Sequence, residues 1–340
     1  MDTSRFSFYI STMAELRQDI VSGDWVLLAP GRAARPRFLD AKKQKRKPSP
    51  KAGCPFEDLA TVSGKPPLFI HPSVARWKIA VVPNKYPAVI SDGAASVPFR
   101  AGLYRGRTAV GAHDLVITRD HYAPFADLPP ADAVRVFTTF RRFHRTTEAG
   151  GSAAYVVSFY NYGPSAGSSI WHPHYQILTL PIVPDHVAHS VRGASDYFRR
   201  HGRCVRCDII KVERRAKVRV IEENSHAIAI APYASKKPFE VSVMPRRHSS
   251  SFRAASPEAV RGVALLARSV ARRMRAHLND PDFNFFVHDA PLARKEHPHH
   301  HWHVEMVPRV SIDAGFELST GIIINIVDPD SAAAMLRGEH

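Results

Sequence analysis

The chain has 340 residues, 44% of them hydrophobic, and carries 47 Lys and Arg against 31 Asp and Glu for a formal net charge of +16. That length and apolar content exclude a disordered chain and leave room for two domain-sized units, while the charge fits an anionic partner such as nucleotide, sugar phosphate, RNA or an acidic surface. Three cysteines, Cys54, Cys204 and Cys207, exclude a disulfide framework, and the lack of an apolar run of roughly 18 residues excludes a membrane span, so a cytoplasmic protein without a membrane partner is expected.

Residues 1–12 read as a disordered N-terminal extension without the order of a signal peptide. Residues 16–28 read as strand and run into a Pro-rich loop with Arg32 and Arg35, two guanidinium groups able to fork onto phosphates. The basic segment 42–51 has no periodicity and reads as a surface loop. Cys54 and Glu57 follow, and then a strand within 76–87 that closes in a tight turn carrying Asn84. Next come a strand over 114–118, His121, and a helix opened by Pro129 and Pro130 with Val134, Phe137 and Phe140 on one face. Gly150 and Gly151 stop that helix, and a strand over 155–160 leads into the segment 161–176.

In that segment Asn161, Gly163, Gly167, Ser168 and Ser169 precede His172-Pro173-His174, Gln176 and an apolar run over 177–183. Small residues let backbone N–H groups close around an anion, and a neutral imidazole beside such a cradle can attack phosphorus at pH 7. A turn with surface histidines is the plainer alternative, but the second half repeats the whole plan. The strand ending at His248 parallels the one ending at His121, and each His is followed four residues on by Phe252 or Phe125. A helix with Ser256 as N-cap and Pro257 at its first position carries Val263, Ala267, Val270 and Met274 on one face. A strand over 283–288 and a histidine cluster over 297–303 complete the repeat. The expected fold class is α+β: a duplicated histidine-triad-like unit with antiparallel sheets flanked by helices, divided as 13–190 and 191–340 and packed into one body.

The repeat aligns two candidate metal sets. Cys204, Cys207, His248 and His301 offer the two thiolates and two imidazoles that tetrahedral zinc prefers, with the thiolates expected on a knuckle ahead of strands. The first copy offers Cys54, Glu57, His121 and His172, in which a harder carboxylate replaces one thiolate.

Taken together and in order, the stretches 25–36, Cys54-Pro55-Phe56, 84–89, Gly111-Ala112-His113-Asp114, 161–176, Pro238-Phe239-Glu240, 301–305 and 314–317 give the chain a resemblance. From Met13 onward it resembles the galactose-1-phosphate uridylyltransferase family of the histidine-triad superfamily. The resemblance implies ping-pong transfer of UMP from UDP-glucose to galactose 1-phosphate, with His174 attacking the α-phosphorus and forming a nucleotidyl-histidine. It makes Gln176 a donor to the phosphoryl oxygen, Gly167 and Ser169 a phosphate cradle, and Arg32 and Arg35 phosphate neighbours. Asn84 and Asn161 fall near the nucleotide, Glu317 near the hexose hydroxyls, and His172 at a structural zinc that tethers the strand of His174. UDP-glucose and hexose 1-phosphates are the implied partners, and a homodimer the implied assembly.

Three positions depart from the family pattern. Tyr175 stands where Gly or Ser is usual, and strand alternation turns it to the opposite face from His174. Glu57 replaces a cysteine. The segment after Glu317 is similar to the ADP-glucose phosphorylase (adenylyltransferase) branch, the alternative within the same chemistry. A non-catalytic nucleotide- or RNA-binding protein would fit the charge, but the intact His174 and Gln176 argue against it and against nucleic acid as partner.

Overall fold

The computed structural model describes residues 13–34, 48–59, 62–91, 95–292 and 297–339. The expected extension 1–12, Arg35 and residues 42–47 of the basic segment lie outside the described residues. In chain order the elements of the first half are β1 (Glu15–Gln18), β2 (Trp25–Leu28), β3 (Phe69–His71), β4 (Ile79–Pro83), β5 (Pro98–Ala101), β6 (Tyr104–Arg107), β7 (His113–Thr118), α1 (Pro130–Gly150), β8 (Tyr155–Tyr162) and β9 (His174–Leu180). Then come α2 (Asp185–His201), α3 (Val205–Ala216), β10 (Val220–Glu223), β11 (Ala227–Ile230), β12 (Val241–Pro245), α4 (Pro257–His277), β13 (Phe283–His288), β14 (His303–Pro308), α5 (Gly315–Thr320), β15 (Ile323–Asn325) and α6 (Pro329–Arg337).

Ten strands form one antiparallel sheet in the order β10-β11-β12-β14-β13-β8-β9-β7-β4-β3. Read outward from the central β13/β8 pair, each half repeats the same sequence of strands, so the duplication predicted from the chain is the symmetry of the sheet. The central pair is itself antiparallel, with Asn284 opposite Asn161 and Phe283 opposite Tyr162. That pairing carries β8 to Tyr162, two residues past the expected end, because the partner strand supplies backbone groups for Asn161 and Tyr162.

α1 and α4 lie on one face and close the main core. Pro130 starts α1 with its fixed φ, and Gly151 ends it in the left-handed conformation at φ 69°. In α4 the Ser256 hydroxyl accepts the Ala259 N–H, and Val263, Ala267, Val270 and Met274 are all buried as the 3.6-residue period requires. Between helices and sheet sit Phe125, Phe137, Phe140, Tyr160, Tyr175, Phe252, Phe285 and Trp302, each worth about 1.5–3 kcal/mol of apolar burial. Tyr175 is fully buried there, its ring 4.6 Å from that of Tyr160, which leaves His174 and Gln176 on the other face.

That other face is covered differently in the two halves. Phe56, Trp77, Val82, Leu115 and Ile117 form a small cluster over the first half, whereas α2 and α3 pack over the second through Ala194, Val205 and Ile210. The expected boundary between residues 190 and 191 falls inside α2. The Cys-x-x-Cys pair is not on a knuckle ahead of strands: Cys204 is the N-cap of α3 and Cys207 lies in its first turn. A helix N-terminus presents unpaired N–H groups and a positive dipole end, which favour the thiolate.

Candidate active site and metal centres

The cradle is built where β8 ends. Gly163 turns the chain at φ 88°, a short 3-10 turn spans Pro164–Ala166, and Gly167 closes it at φ 90°. A side chain at position 163 would collide with the Asp282 carboxylate as well as strain the backbone. Asp282 Oδ2 accepts both the N–H and the hydroxyl of Ser165 at 2.6 Å, which pins the turn to the start of β13. Asn284 donates to Asn161 Oδ1 and to the Ala166 carbonyl, each at 2.8 Å, so Asn161 keeps its amide N–H2 for another acceptor. Beside this turn lies a cavity of about 710 Å³ lined by Cys54, Asn161, Gly163, Ser168, Ser169 and Trp171, among others.

His174 opens β9 and is buried, with the Phe56 ring 5.0 Å away. Its Nδ1 lies 2.9 Å from the His172 carbonyl. A carbonyl can only accept, so Nδ1 carries the proton and Nε2 keeps its lone pair. Burial holds His174 below the usual histidine range, so the ring is neutral at pH 7. Two residues along the same face, Gln176 Oε1 lies 2.8 Å from His113 Nε2. His113 in turn stands 3.3 Å from Asn84 Nδ2, while Asn84 Oδ1 accepts the Tyr86 N–H.

Among the described residues three groups have the chemistry of metal ligands, two of them with cysteine. The ligand atoms of Cys204, Cys207, His248 and His301 lie within 4.8 Å of one another, as do those of Cys54, His121 and His172. In both groups the histidine edge facing away from the centre is committed to a carbonyl: His301 Nε2 to Pro245 at 2.9 Å, His172 Nε2 to Thr118 at 2.7 Å and His121 Nε2 to Ser49 at 2.8 Å. The proton therefore sits on Nε2, and each Nδ1 turns a lone pair inward, the arrangement that outer hydrogen bonds impose on metal-bound imidazoles. At the first group Glu57 Oε1 stands 3.1 Å from His121 Nδ1 and 3.3 Å from His172 Nδ1. Bare ring nitrogens facing sulfur in both groups, with a carboxylate added in the first, make donor sets that fit a metal. At the second group the Cys207 thiol and His301 hold Cys204 well below the usual thiol range.

The second copy reproduces the backbone setting of the first without its contents. His303 Nδ1 points to the His301 carbonyl at 3.2 Å, as His174 does to that of His172. Here, however, the ring stacks on His288 at 4.4 Å, and His288 Nε2 lies 3.0 Å from Glu305. His288, His303 and Glu305 face a smaller cavity of about 340 Å³, closed by α2 and α3 and lined also by Arg206 and Glu240.

Of the residues expected at the site, Cys54, Asn161 and Ser169 line the cavity, and Cys54 also meets Glu57, His121 and His172 in the first ligand group. His174, Gln176 and Gly167 are not among the cavity's lining residues, His174 lying against Phe56 and Gln176 against His113. Asn84 joins Gln176 through His113. Arg32 is exposed on a 3-10 turn and is not among the residues lining the cavity. Glu317 lies on α5, where its carboxylate accepts the Ala314 N–H at 3.0 Å. Sequence reasoning passed over His113, Asn284 and Asp282 as site residues; for the last two, the aligned repeat that pairs β13 with β8 was the available signal.

The first part of the chain, 7–184, matches the family description "Galactose-1-phosphate uridyl transferase, N-terminal domain", and 190–314 matches the corresponding C-terminal domain. An ADP-glucose phosphorylase of Arabidopsis thaliana is 33% identical over 95% of this chain and 92% of its own. A galactose-1-phosphate uridylyltransferase of Thermotoga maritima is 25% identical over 96% of this chain and 98% of its own. The crystal structure of the Arabidopsis ADP-glucose phosphorylase with bound ADP-glucose superposes with a TM-score of 0.80 at 30% identity, covering 96% of this chain and 99% of that one. Among the described residues no helix is long and apolar enough to cross a membrane.

Proposed function

Because the chain belongs to the galactose-1-phosphate uridylyltransferase family of nucleotidyltransferases, we propose that it moves a nucleotidyl group from a nucleoside-diphosphate hexose through a covalent intermediate on His174. The observation that carries this reading is the fixed tautomer of His174, with Nδ1–H held by the His172 carbonyl and the Nε2 lone pair left over. Nε2 attacks the α-phosphorus, an N–P bond forms, and the P–O bond to the sugar phosphate breaks with hexose 1-phosphate as leaving group. In the second half-reaction an oxygen of the acceptor attacks the same phosphorus and His174 leaves as neutral imidazole. Gln176 and the N–H groups of the turn around Gly167 and Ser169 stabilise the charge that builds on the phosphoryl oxygens.

ADP-glucose is the favoured donor and orthophosphate the favoured acceptor, supported by the higher identity to the ADP-glucose phosphorylase. UDP-glucose with galactose 1-phosphate is the second reading, supported by the near full-length likeness to uridylyltransferases. Assaying the two donor and acceptor pairs side by side decides between them: glucose 1-phosphate release from ADP-glucose and phosphate is expected to dominate, and turnover of UDP-glucose with galactose 1-phosphate alone would move the assignment to uridylyl transfer.

Zinc is the metal proposed for Cys204, Cys207, His248 and His301, and for Cys54, His121 and His172, with Glu57 beside the two imidazoles of the latter set. When bound it supplies cross-linking rather than chemistry, tethering the strand entries that carry His172 and His301. The half of the sheet from β3 to β9 carries the reaction and the half from β10 to β14 completes the body, and the cytoplasm is the proposed location. A homodimer is also proposed, supported by the two-stranded β5–β6 hairpin, which exposes Phe99, Leu103 and Tyr104. An isolated hairpin with an uncovered apolar tip is marginal in water. A monomer by light scattering that retains full activity would defeat the dimer.

A further inference from the structure

The hydrogen bonds around His113 decide which way the Gln176 amide faces. His113 opens β7 and reaches diagonally across to β9, where Leu115 is the direct partner of Gln176 and Leu178 that of His113; diagonal neighbours of this kind are within reach of long side chains. The Ala88 backbone N–H donates to His113 Nδ1 at 3.1 Å. A backbone amide cannot reverse its role, so Nδ1 must be the bare nitrogen and the neutral ring must carry its proton on Nε2. Among the described residues two groups face that proton. Asn84 presents Nδ2, which carries only hydrogens because Asn84 Oδ1 already accepts the Tyr86 N–H. Only Gln176 Oε1, at 2.8 Å, can accept it. The amide is thereby fixed with its oxygen toward His113, and its N–H2, which makes no hydrogen bond among the described residues, is left for the phosphoryl group.

We propose that His113 is a positioning residue that locks the Gln176 amide with its N–H2 toward the reacting phosphoryl oxygen, through the chain Ala88 N–H, His113 Nδ1, His113 Nε2–H, Gln176 Oε1. Without the lock the amide can turn over and offer an oxygen to a developing oxyanion, which is repulsive. The inference rests on the nucleotidyl-transfer reading above, and it separates a donor role for Gln176 from mere proximity.

The test compares His113→Phe, which keeps a ring without a donor, with His113→Gln, whose terminal N–H2 can replace Nε2–H. Single-turnover formation of the nucleotidyl adduct should fall on the order of 10- to 100-fold in His113→Phe, short of the 10²–10³ that loss of a whole oxyanion donor costs. The Kd for the nucleotide should be unchanged, and His113→Gln should recover most of the rate. In a Gln176→Ala background His113→Phe should cost nothing further, since the residue acts only through the amide. An undiminished rate in His113→Phe, or a further loss on top of Gln176→Ala, would overturn the proposal while leaving covalent transfer intact. The tautomer is also read on the resting protein by ¹⁵N NMR of labelled histidine, assigned with His113→Gln. Nε2–H is expected, and an Nδ1–H ring would overturn the lock whether or not the wild-type protein forms an adduct.

Discussion

The two halves of the sheet are the same device kept for different uses. By the register of β7 with β9 and of β12 with β14, Leu115 corresponds to Ser242 and Gln176 to Glu305, which aligns His113 with Glu240. Where the first half has an imidazole beside a neutral amide, the second has two carboxyl groups, one of which, Glu240, is pushed up from the usual carboxylate range by burial and by the charge of Glu305. The Glu305 carboxylate repels a phosphate, and α2 and α3 cover the face that in the first half carries only the small Phe56 cluster. His303 has the backbone hydrogen bond of His174 without a donor amide or a glycine turn. What survives in both halves is the pair of inward-facing Nδ1 atoms, so on the proposed reading the metal sets hold the architecture and the chemistry resides in one copy.

Exchanging the counterpart histidines should break this comparison most severely. His174→Ala is expected to slow hexose 1-phosphate release by at least about 10³-fold, the scale of losing a covalent catalyst, while His303→Ala should retain the release rate. Next in size is the metal: Cys207→Ser should lower zinc by about one equivalent per chain by elemental analysis and destabilise the fold by several kcal/mol, since structural zinc binding is folding free energy. Equal zinc in wild type and variant would remove α3 from the site.

A smaller effect comes from a charge that only the first copy buries. Asp114 is buried and pushed up to about 6 by desolvation, whereas its counterpart Val241 is apolar. The folded pKa is raised, so between about pH 4 and 6 the folded chain holds a proton that the unfolded chain does not. Stability is then lost as pH rises through that window. Asp114→Asn should be more stable than wild type by about 1–3 kcal/mol at pH 8 and by less at pH 5, which urea melts at the two pH values will check. The smallest effect concerns Tyr175, whose buried hydroxyl has the Thr118 side chain as a marginal neighbour and whose counterpart is Val304. Tyr175→Phe should change stability by no more than about 1 kcal/mol, the scale of a poorly made buried hydrogen bond, and leave transfer unchanged; urea melts check the first and the release rate the second.

The duplicated plan was legible in the chain because the markers recur: a strand ending in His, Phe four residues later, a Pro-capped helix, a strand, and His-x-His. Strand alternation also sufficed to send Tyr175 to the core and leave His174 and Gln176 together. The helices α2 and α3 were not legible, since α2 buries only Ala194 fully and its apolar positions are shared with a charged face; a Cys-x-x-Cys pair carries no sign of whether it caps a helix or precedes a strand. The contact between His113 and Gln176 also could not be read from the chain. It depends on the β7–β9 register and on a diagonal reach across it, and neither residue signals that register locally.

Peptide-resolved mass spectrometry after incubation with ADP-glucose, and separately with UDP-glucose, decides whether one copy of the duplicated fold carries the covalent chemistry. A single nucleotidyl group, AMP from ADP-glucose, is expected on the peptide containing His174, with glucose 1-phosphate released and the peptide containing His303 unmodified. A nucleotidyl group on the His303 peptide, or none on either peptide from either donor, would contradict that expectation.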